Sequence, residues 1–433
     1  MRIAVIGSGI SGLASAWLLS RAHEVSLFEA SDRLGGHTHT HCIELDGRSH
    51  QVDTGFIVFN HEHYPLLSRM FRQRGVASQP TTMSFSVHKQ AGGLEYNATS
   101  LDTLFCQRRN LASPRFLGMV RDLLRFYREA PALLDSDDDE LSLGRYLQSR
   151  GYGAAFRDDH LVPMASALWS SPSRQILEFP ARYLVAFMAN HQMLQISGRP
   201  QWRVVRGGSS RYIEALRRDW RVHERVACPV HSVQRNRAGV ELHTAAGTER
   251  FDQVVLACHS DQALALLADA DAAERDILGA IRYQPNDVVL HTDRSLLPRR
   301  RKAWAAWNAW VPAATDAACS VSYCMNILQG IRSERPLIVS LNRTADIDPA
   351  QVLRRMHYQH PVYTRDAVAA QRRKPEIQGR RRTWFAGAWW GWGFHEDGMH
   401  SAVEVAAGLG VPFGENGRKA RAEATAFPAE QAA

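Results

Sequence analysis

The sequence predicts an α/β fold, a parallel sheet wrapped by helices, with a second α+β domain beside it. Three observations predict it. Strand, glycine-rich turn, helix and strand follow one another between Met1 and Phe28. A block of helical periodicity fills residues 114 to 191, and short apolar strands return after Trp202. At 433 residues the chain is also too long for one simple core.

The opening unit is the most informative. Arg2 to Ile6 is a short run rich in Ile and Val, as in a buried parallel strand. Gly7-Ser8-Gly9-Ile10-Ser11-Gly12 follows, then a helix from Leu13 to Ser20 and a strand from Glu24 to Phe28. Such glycines let the backbone turn tightly beside a pyrophosphate at a helix N-terminus. Glu29, 17 residues past Gly12, stands where a carboxylate accepts bonds from ribose hydroxyls. The unit reads as a Rossmann-like dinucleotide site.

Thr40 to Asp46 and Ser49 to Thr54 read as a hairpin turning at Asp46-Gly47. Tyr64 to Arg74 reads as a helix closed by Gly75. Strands are expected at Met83 to His88 and Gly93 to Tyr96. Phe116, Met119, Val120, Leu123, Leu124 and Tyr127 share one helical stripe, a core face rather than a channel. After Trp202 come a helix from Arg211 to Arg218 and strands at Val222–Val226, Pro229–Asn236, Gly239–Thr244 and Asp252–Cys258. Asp287 to Thr292 and Leu337 to Asn342 read as later strands. The expected division is 1–76, 201–280 and 380–411 for the nucleotide domain, and 77–200 and 281–379 for a substrate domain. Residues 412–433 form a polar, Ala-rich tail expected to be disordered.

Composition narrows the class. No apolar stretch reaches membrane-spanning length, and Met1 leads straight into a strand, so neither a transmembrane helix nor a signal peptide is expected. The six cysteines form no C-x-x-C pair and fit reduced thiols in the cytoplasm. The net charge is +8, nearly all from Arg, with no nucleic-acid-binding motif. Arg299-Arg300-Arg301-Lys302 precedes Trp304, Trp307 and Trp310. At that spacing the indoles would share a helical face, suited to peripheral contact with an anionic membrane; the alternative is plain core. His37, His39 and His41 alternate, but no acid or Cys completes a ligand set, and no metal is expected.

Arg33-Leu34-Gly35-Gly36-His37 resembles the R-x-G-G-R run of the flavoprotein superfamily of amine oxidases, protoporphyrinogen oxidases and carotenoid desaturases. His37 stands where the second Arg usually does. The resemblance implies an amine-oxidase-like two-domain flavoprotein with FAD, held by Gly7, Gly9, Ile10, Ser11, Gly12, Glu29, Ala30, Arg33, Gly35, Gly36 and His37. Asp53-Thr54-Gly55-Phe56 resembles the segment that passes under the flavin ring. Val230 matches a Val that packs near the adenine, although the strands around it also fit an ordinary meander. The stretch from Trp384 to Gly410 resembles the C-terminal FAD motif, with Gly387, Gly398 and Ser401 matching. Ala388 stands where the superfamily has an acid bonded to the ribityl chain, which leaves Glu396 or Asp397 to substitute.

G-G-H-T-H-T-H, V-D-T-G-F-I-V-F-N and G-F-H-E-D-G narrow the resemblance to a bacterial branch. That branch is similar to the N-terminal flavoprotein half of plant cyclopropane fatty acid synthases. It implies a lipid acyl chain as substrate and an acyl-chain methyltransferase as partner.

A second G-x-G-x-x-G is missing, so substrate oxidation is expected rather than nicotinamide-driven reduction. Amine oxidases of the superfamily carry a Lys beside the flavin; here the corresponding strand has Pro285-Asn286-Asp287. Phe394 and His395 occupy the place of a caging Tyr, and His395 either moves a proton or orients the loop. Asn286, Phe394 and His395 are the catalytic candidates. The expected activity is FAD-dependent hydride removal from an apolar substrate, foremost an acyl chain. A small amine or a polyene is the alternative substrate. A FAD-binding methyltransferase subunit without turnover is the alternative of another class.

Overall fold

The computed structural model describes residues 1–136, 138, 140–169, 173–313 and 319–414. Five parallel strands form the sheet beneath the N-terminal unit, in the order Val222–Arg225, Glu24–Phe28, Arg2–Ile6, Gln253–Leu256 and Thr383–Phe385. Three distant parts of the chain therefore build one sheet. Arg2–Ile6 lies at its centre, which is why four of its five residues are buried. The helix Ile10–Leu19 packs on one face, buried at every position. Its small residues admit the helix His395–Gly408 alongside it. The antiparallel strands Val230–Asn236, Gly239–Thr244 and Gly247–Phe251 lie against the other face.

A second sheet of seven strands runs Val352–Val362, Arg282–His291, Ile338–Leu341, Ser320–Cys324, Trp307–Val311, Phe85–Lys89 and Leu94–Asn97. All neighbours are antiparallel except Trp307–Val311 with Phe85–Lys89. Helices between Pro114 and Asn190 pack on it around Tyr96, Phe126 and Phe156. The chain is thus an α/β protein with a parallel nucleotide sheet and a mixed sheet carrying a helical layer.

Several elements differ from expectation. Trp307 and Trp310 lie on the strand Trp307–Val311, and Trp304 precedes it, so these three tryptophans do not share a helical face. Trp307 packs edge-on against Tyr323 at 4.9 Å, and Arg343 covers the Trp310 ring at 4.3 Å. Arg301 covers the Trp304 ring at 4.7 Å. The backbone N–H groups of Arg299 and Arg300 donate to Glu95, and Lys302 pairs with Asp102. In the helix Pro114–Glu129 the buried face holds Phe116, Met119, Asp122 and Phe126, whereas Leu124 is exposed. His37 lies outside the hairpin strand Thr40–Leu45, so the three alternating histidines do not share one strand face. Of the expected tail, Phe413 is buried edge-on against Trp17; residues 415–433 lie outside the described residues. Among the described residues no helix is long and apolar enough to cross a membrane.

Candidate functional site

The N-terminal turn is built by close approach. Gly7 has φ +98, and a Cβ there would lie 2.8 Å from the Ala257 carbonyl oxygen. A Cβ on Gly12 would run into the Gly7 carbonyl. A Cβ on Gly9, in contrast, would meet nothing within 4 Å. The turn therefore opens at Gly9 onto space that protein does not fill. No side chain caps the helix that begins at Ile10, so its first N–H groups are left for a ligand. This donor set and this cradle fit a diphosphate.

Glu29 is committed more fully than its sequence position suggests. One carboxylate oxygen accepts the Ser8 N–H and hydroxyl at 2.9 and 2.5 Å, and the other accepts the Ser31 N–H and hydroxyl at 2.9 and 2.6 Å. Burial works to raise its pKa; the Ser31 and Ser8 donors overcome it and hold the carboxyl below its usual value. Both hydroxyls can rotate aside, so ribose hydroxyls can exchange with them. Ala30 follows on the surface. Arg33 donates to the carbonyls of Gly36 and Thr38, at 2.8 and 3.1 Å, and so shapes the loop. The Gly35 N–H donates to the Ser8 carbonyl, which ties that loop to the phosphate turn.

Asp53 is committed to contacts within the protein. It is fully buried and accepts bonds from the Thr40 hydroxyl, the Ser209 N–H and hydroxyl, and the Gln329 amide. It fastens the hairpin to the Gly207-Gly208-Ser209 turn and to Gln329 at the end of the short helix Met325–Leu328. Burial pushes its pKa up to about 6 against those bonds. Thr54 turns to the larger sheet, 2.8 Å from the Tyr358 hydroxyl. A Cβ on Gly55 would collide with the His37 carbonyl, which accepts the Phe56 N–H at 2.8 Å. Phe56 in turn stacks on His395 at 3.7 Å.

The C-terminal segment shows which expected contacts are already used. Glu396 accepts the Leu66 and Leu67 N–H groups at the start of the helix Pro65–Arg74, and Asp397 accepts those of Trp392 and Phe394. These carboxylates both cap backbone. Burial pushes Glu396 up to about 8 and Asp397 up to about 7. The buried Ser401 hydroxyl bridges the Gly387 N–H and the Gly398 carbonyl. A Cβ on Gly398 would sit 2.6 Å from Ile10 Cγ2 and 2.9 Å from the Ser11 hydroxyl, so Ile10 and Ser11 serve this helix contact. Val230 is half-buried at a bulge.

The structure gathers His395, Phe56, Thr38 and His37 at the N-terminus of the last helix. Phe394 stands apart from them, stacked on Phe187 at 5.3 Å and beside His191. Asn286 is buried on the larger sheet, where its amide donates to the Gln284 carbonyl and lies 3.4 Å from His360. The sequence did not reveal His259, His360, Tyr358, Phe187 or Trp392 as neighbours of this cleft. His360 and Tyr358 stand two apart on Val352–Val362, an alternation that points both to one face.

Comparison with known proteins agrees with this geometry. The family model for flavin containing amine oxidoreductases matches residues 10–308. L-amino-acid oxidase of Pseudechis australis is 47% identical over 47 residues, 11% of this chain and 9% of the relative. The chain spans 9% and 12% of the length of two curated relatives that it matches. Among solved structures, the cyclohexylamine oxidase of Brevibacterium oxydans IH-35A superposes with a TM-score of 0.68 at 17% identity, over 94% of this chain and 98% of that one. A CLA-producing fatty acid isomerase from P. acnes does so with a TM-score of 0.66 at 16% identity, over the same shares. At such identities the two structures establish the fold.

Proposed function

The chain belongs to the flavin-containing amine oxidoreductase family, and from that premise we propose that this FAD-dependent oxidoreductase removes a hydride from an apolar substrate, foremost the acyl chain of a lipid. The observation that carries the reading is the aromatic wall before the last helix. Phe394 stacks on Phe187, Trp392 adjoins both Phe187 and Tyr183, and Tyr183 stacks on Tyr363. The described lysines are all engaged elsewhere: Lys89 with Asp159, Lys302 with Asp102 and Lys374 with Glu404. An alkyl chain asks for such uncharged walls and for the exclusion of water. The fold also carries a fatty acid isomerase, which supports an acyl chain as the class.

Bound FAD supplies the hydride acceptor. This chain's residues do the rest. The Gly9 turn and the N–H groups after it hold the diphosphate. The N-terminus of His395–Gly408 favours negative charge beside it. Phe394 and Trp392 orient the chain and keep water out. His395, which burial holds neutral by lowering its pKa to about 3, positions Phe56 and Thr38.

One observation favours the alternative of a small amine. A cavity of about 230 Å³ beside Phe394 is lined by Glu62, His63, His191 and Glu396. Acceptors and carboxyls near aromatic rings suit an ammonium group.

Mass spectrometry of total lipids from cells with and without the protein tests the reading. It predicts acyl chains two mass units lighter when the protein is present, one hydride having passed to the flavin and one proton having left the adjacent carbon for solvent. An unchanged lipid profile, with amine turnover by the pure protein, would transfer the assignment to the amine.

A further inference from the structure

Three histidines from separate parts of the chain converge beside the phosphate turn. His37 ends the Arg33–Gly36 loop, His259 follows the strand Gln253–Leu256, and His360 lies on Val352–Val362. The His37 ring centroid is 6.2 Å from that of His259 and 5.6 Å from that of His360. Their location is fixed by the glycines. A Cβ on Gly36 would lie 3.0 Å from Gly9 Cα, and one on Gly7 would touch Ala257. The loops carrying His37 and His259 thus flank the turn on both sides.

Two of the ring nitrogens are unspent. His37 Nε2 and His259 Nδ1 are buried without a hydrogen-bond partner. Buried polar atoms are rarely left so unless a ligand or water completes them. We propose that His37, His259 and His360 form one anion subsite for the FAD diphosphate, and that this subsite takes up protons as the cofactor binds.

The surroundings agree with this assignment. His37 faces His360 and Tyr358 from the larger sheet, His259 from the loop after Gln253–Leu256, His395 from the last helix and Arg33 from its own loop. His259 stacks on Tyr283 at 4.2 Å and faces Asp261 and Gln359. His360 faces His259 and the Asn286 amide. Of these groups Arg33 is the one permanent cation, and its guanidinium donates to the Gly36 and Thr38 carbonyls. Burial lowers all three imidazoles; repulsion from neighbouring imidazoles adds to it at His37 and His360, whereas Asp261 and Gln359 oppose it at His259: His360 falls to about 4, and His37 and His259 fall below their ordinary value. An adjacent dianion reverses that balance and raises all three. Protons are then taken up between the free and bound pKa values, so affinity rises as pH falls.

Calorimetric titration of the flavin-stripped full chain with FAD, in two buffers of different ionisation enthalpy, tests this. Net proton uptake is expected near pH 6. Kd should rise as pH goes from 6 to 8, by up to about 10-fold per pH unit for each linked proton. ADP-ribose, which keeps the diphosphate and lacks the flavin ring, should show the same uptake. His37→Arg, a fixed cation, should flatten the dependence, and His259→Gln and His360→Gln should each reduce it, with thermal melts of the folded variants confirming integrity. A flat Kd without proton exchange would overturn the proposal. So would uptake with FAD but none with ADP-ribose, or an unaltered slope in the folded variants.

Discussion

The His395 Nε2 lies 3.0 Å from the Thr38 hydroxyl, which in turn lies 2.6 Å from the Tyr212 hydroxyl. This pair joins the last helix to the loop after Gly36, across 357 residues of sequence. With Phe56 stacked on the same ring, His395 holds two walls of the cofactor cleft together. His395→Ala should therefore lower thermal stability and FAD affinity together, by about 1–3 kcal/mol. His395→Gln, which can still reach Thr38, should restore most of both. Unchanged stability with flavin reduction slowed about 10²-fold would instead make the imidazole a proton carrier.

Gly9 and Gly12 should separate cofactor binding from folding. Gly9→Ala adds a methyl group to open space, so the flavin-free protein should melt normally yet lose FAD. Gly12→Ala drives its methyl group into the Gly7 carbonyl and should cost about 3 kcal/mol or more. Melts of the two variants, with and without FAD, decide the matter. A Gly9→Ala protein that retains FAD would contradict the placement of the diphosphate.

Asp53 should behave as a fastener. Asp53→Ala leaves the Ser209 N–H without its acceptor and the hairpin unpinned, at a cost of at least about 2 kcal/mol. Urea unfolding measures it. A stable variant that has lost only FAD would restore Asp53 to the cofactor surface.

Glu396 gives a pH signature. Its folded pKa is raised, from an ordinary 4.5 to about 8, so its contribution is fully present below the unfolded value and is lost as pH rises through the folded one. Relative to Glu396→Gln, the native protein should lose stability between pH 5 and 8, by up to about 1.4 kcal/mol per unit. Urea unfolding across that range tests it. A constant gap would mean that the Leu66 and Leu67 N–H groups keep the carboxylate ionised throughout.

The nucleotide unit was legible because its signals are local. The glycines, the Ile/Val run and Glu29 all fall within the first 29 residues, and the strand, turn and helix they specify follow in order. The larger sheet was only partly legible. Trp307–Val311 pairs in parallel with Phe85–Lys89, more than two hundred residues away, and no local pattern announces such a partner. The spacing of its tryptophans suits a helix, yet tertiary pairing sets the strand. Val352–Val362 is not legible as a strand because its inner face carries Tyr358 and His360 in place of an apolar alternation. Those polar residues face the cofactor cleft, so the residues nearest the chemistry blurred the strand. The roles of Asp53, Glu396 and Asp397 were hidden for another reason: a carboxylate that binds a cofactor and one that caps backbone look alike until their donors are known.

The most direct test of the central claim is anaerobic mixing of the FAD-loaded protein with candidate substrates while flavin absorbance is followed. An acyl lipid in mixed micelles should bleach the flavin, and the same micelles with a fully fluorinated chain, which has no hydride to give, should leave it oxidised. Bleaching by a primary amine with no response to acyl lipid would contradict the proposed substrate. A protein that is loaded with FAD and bleached by neither would contradict the assignment of turnover to this chain.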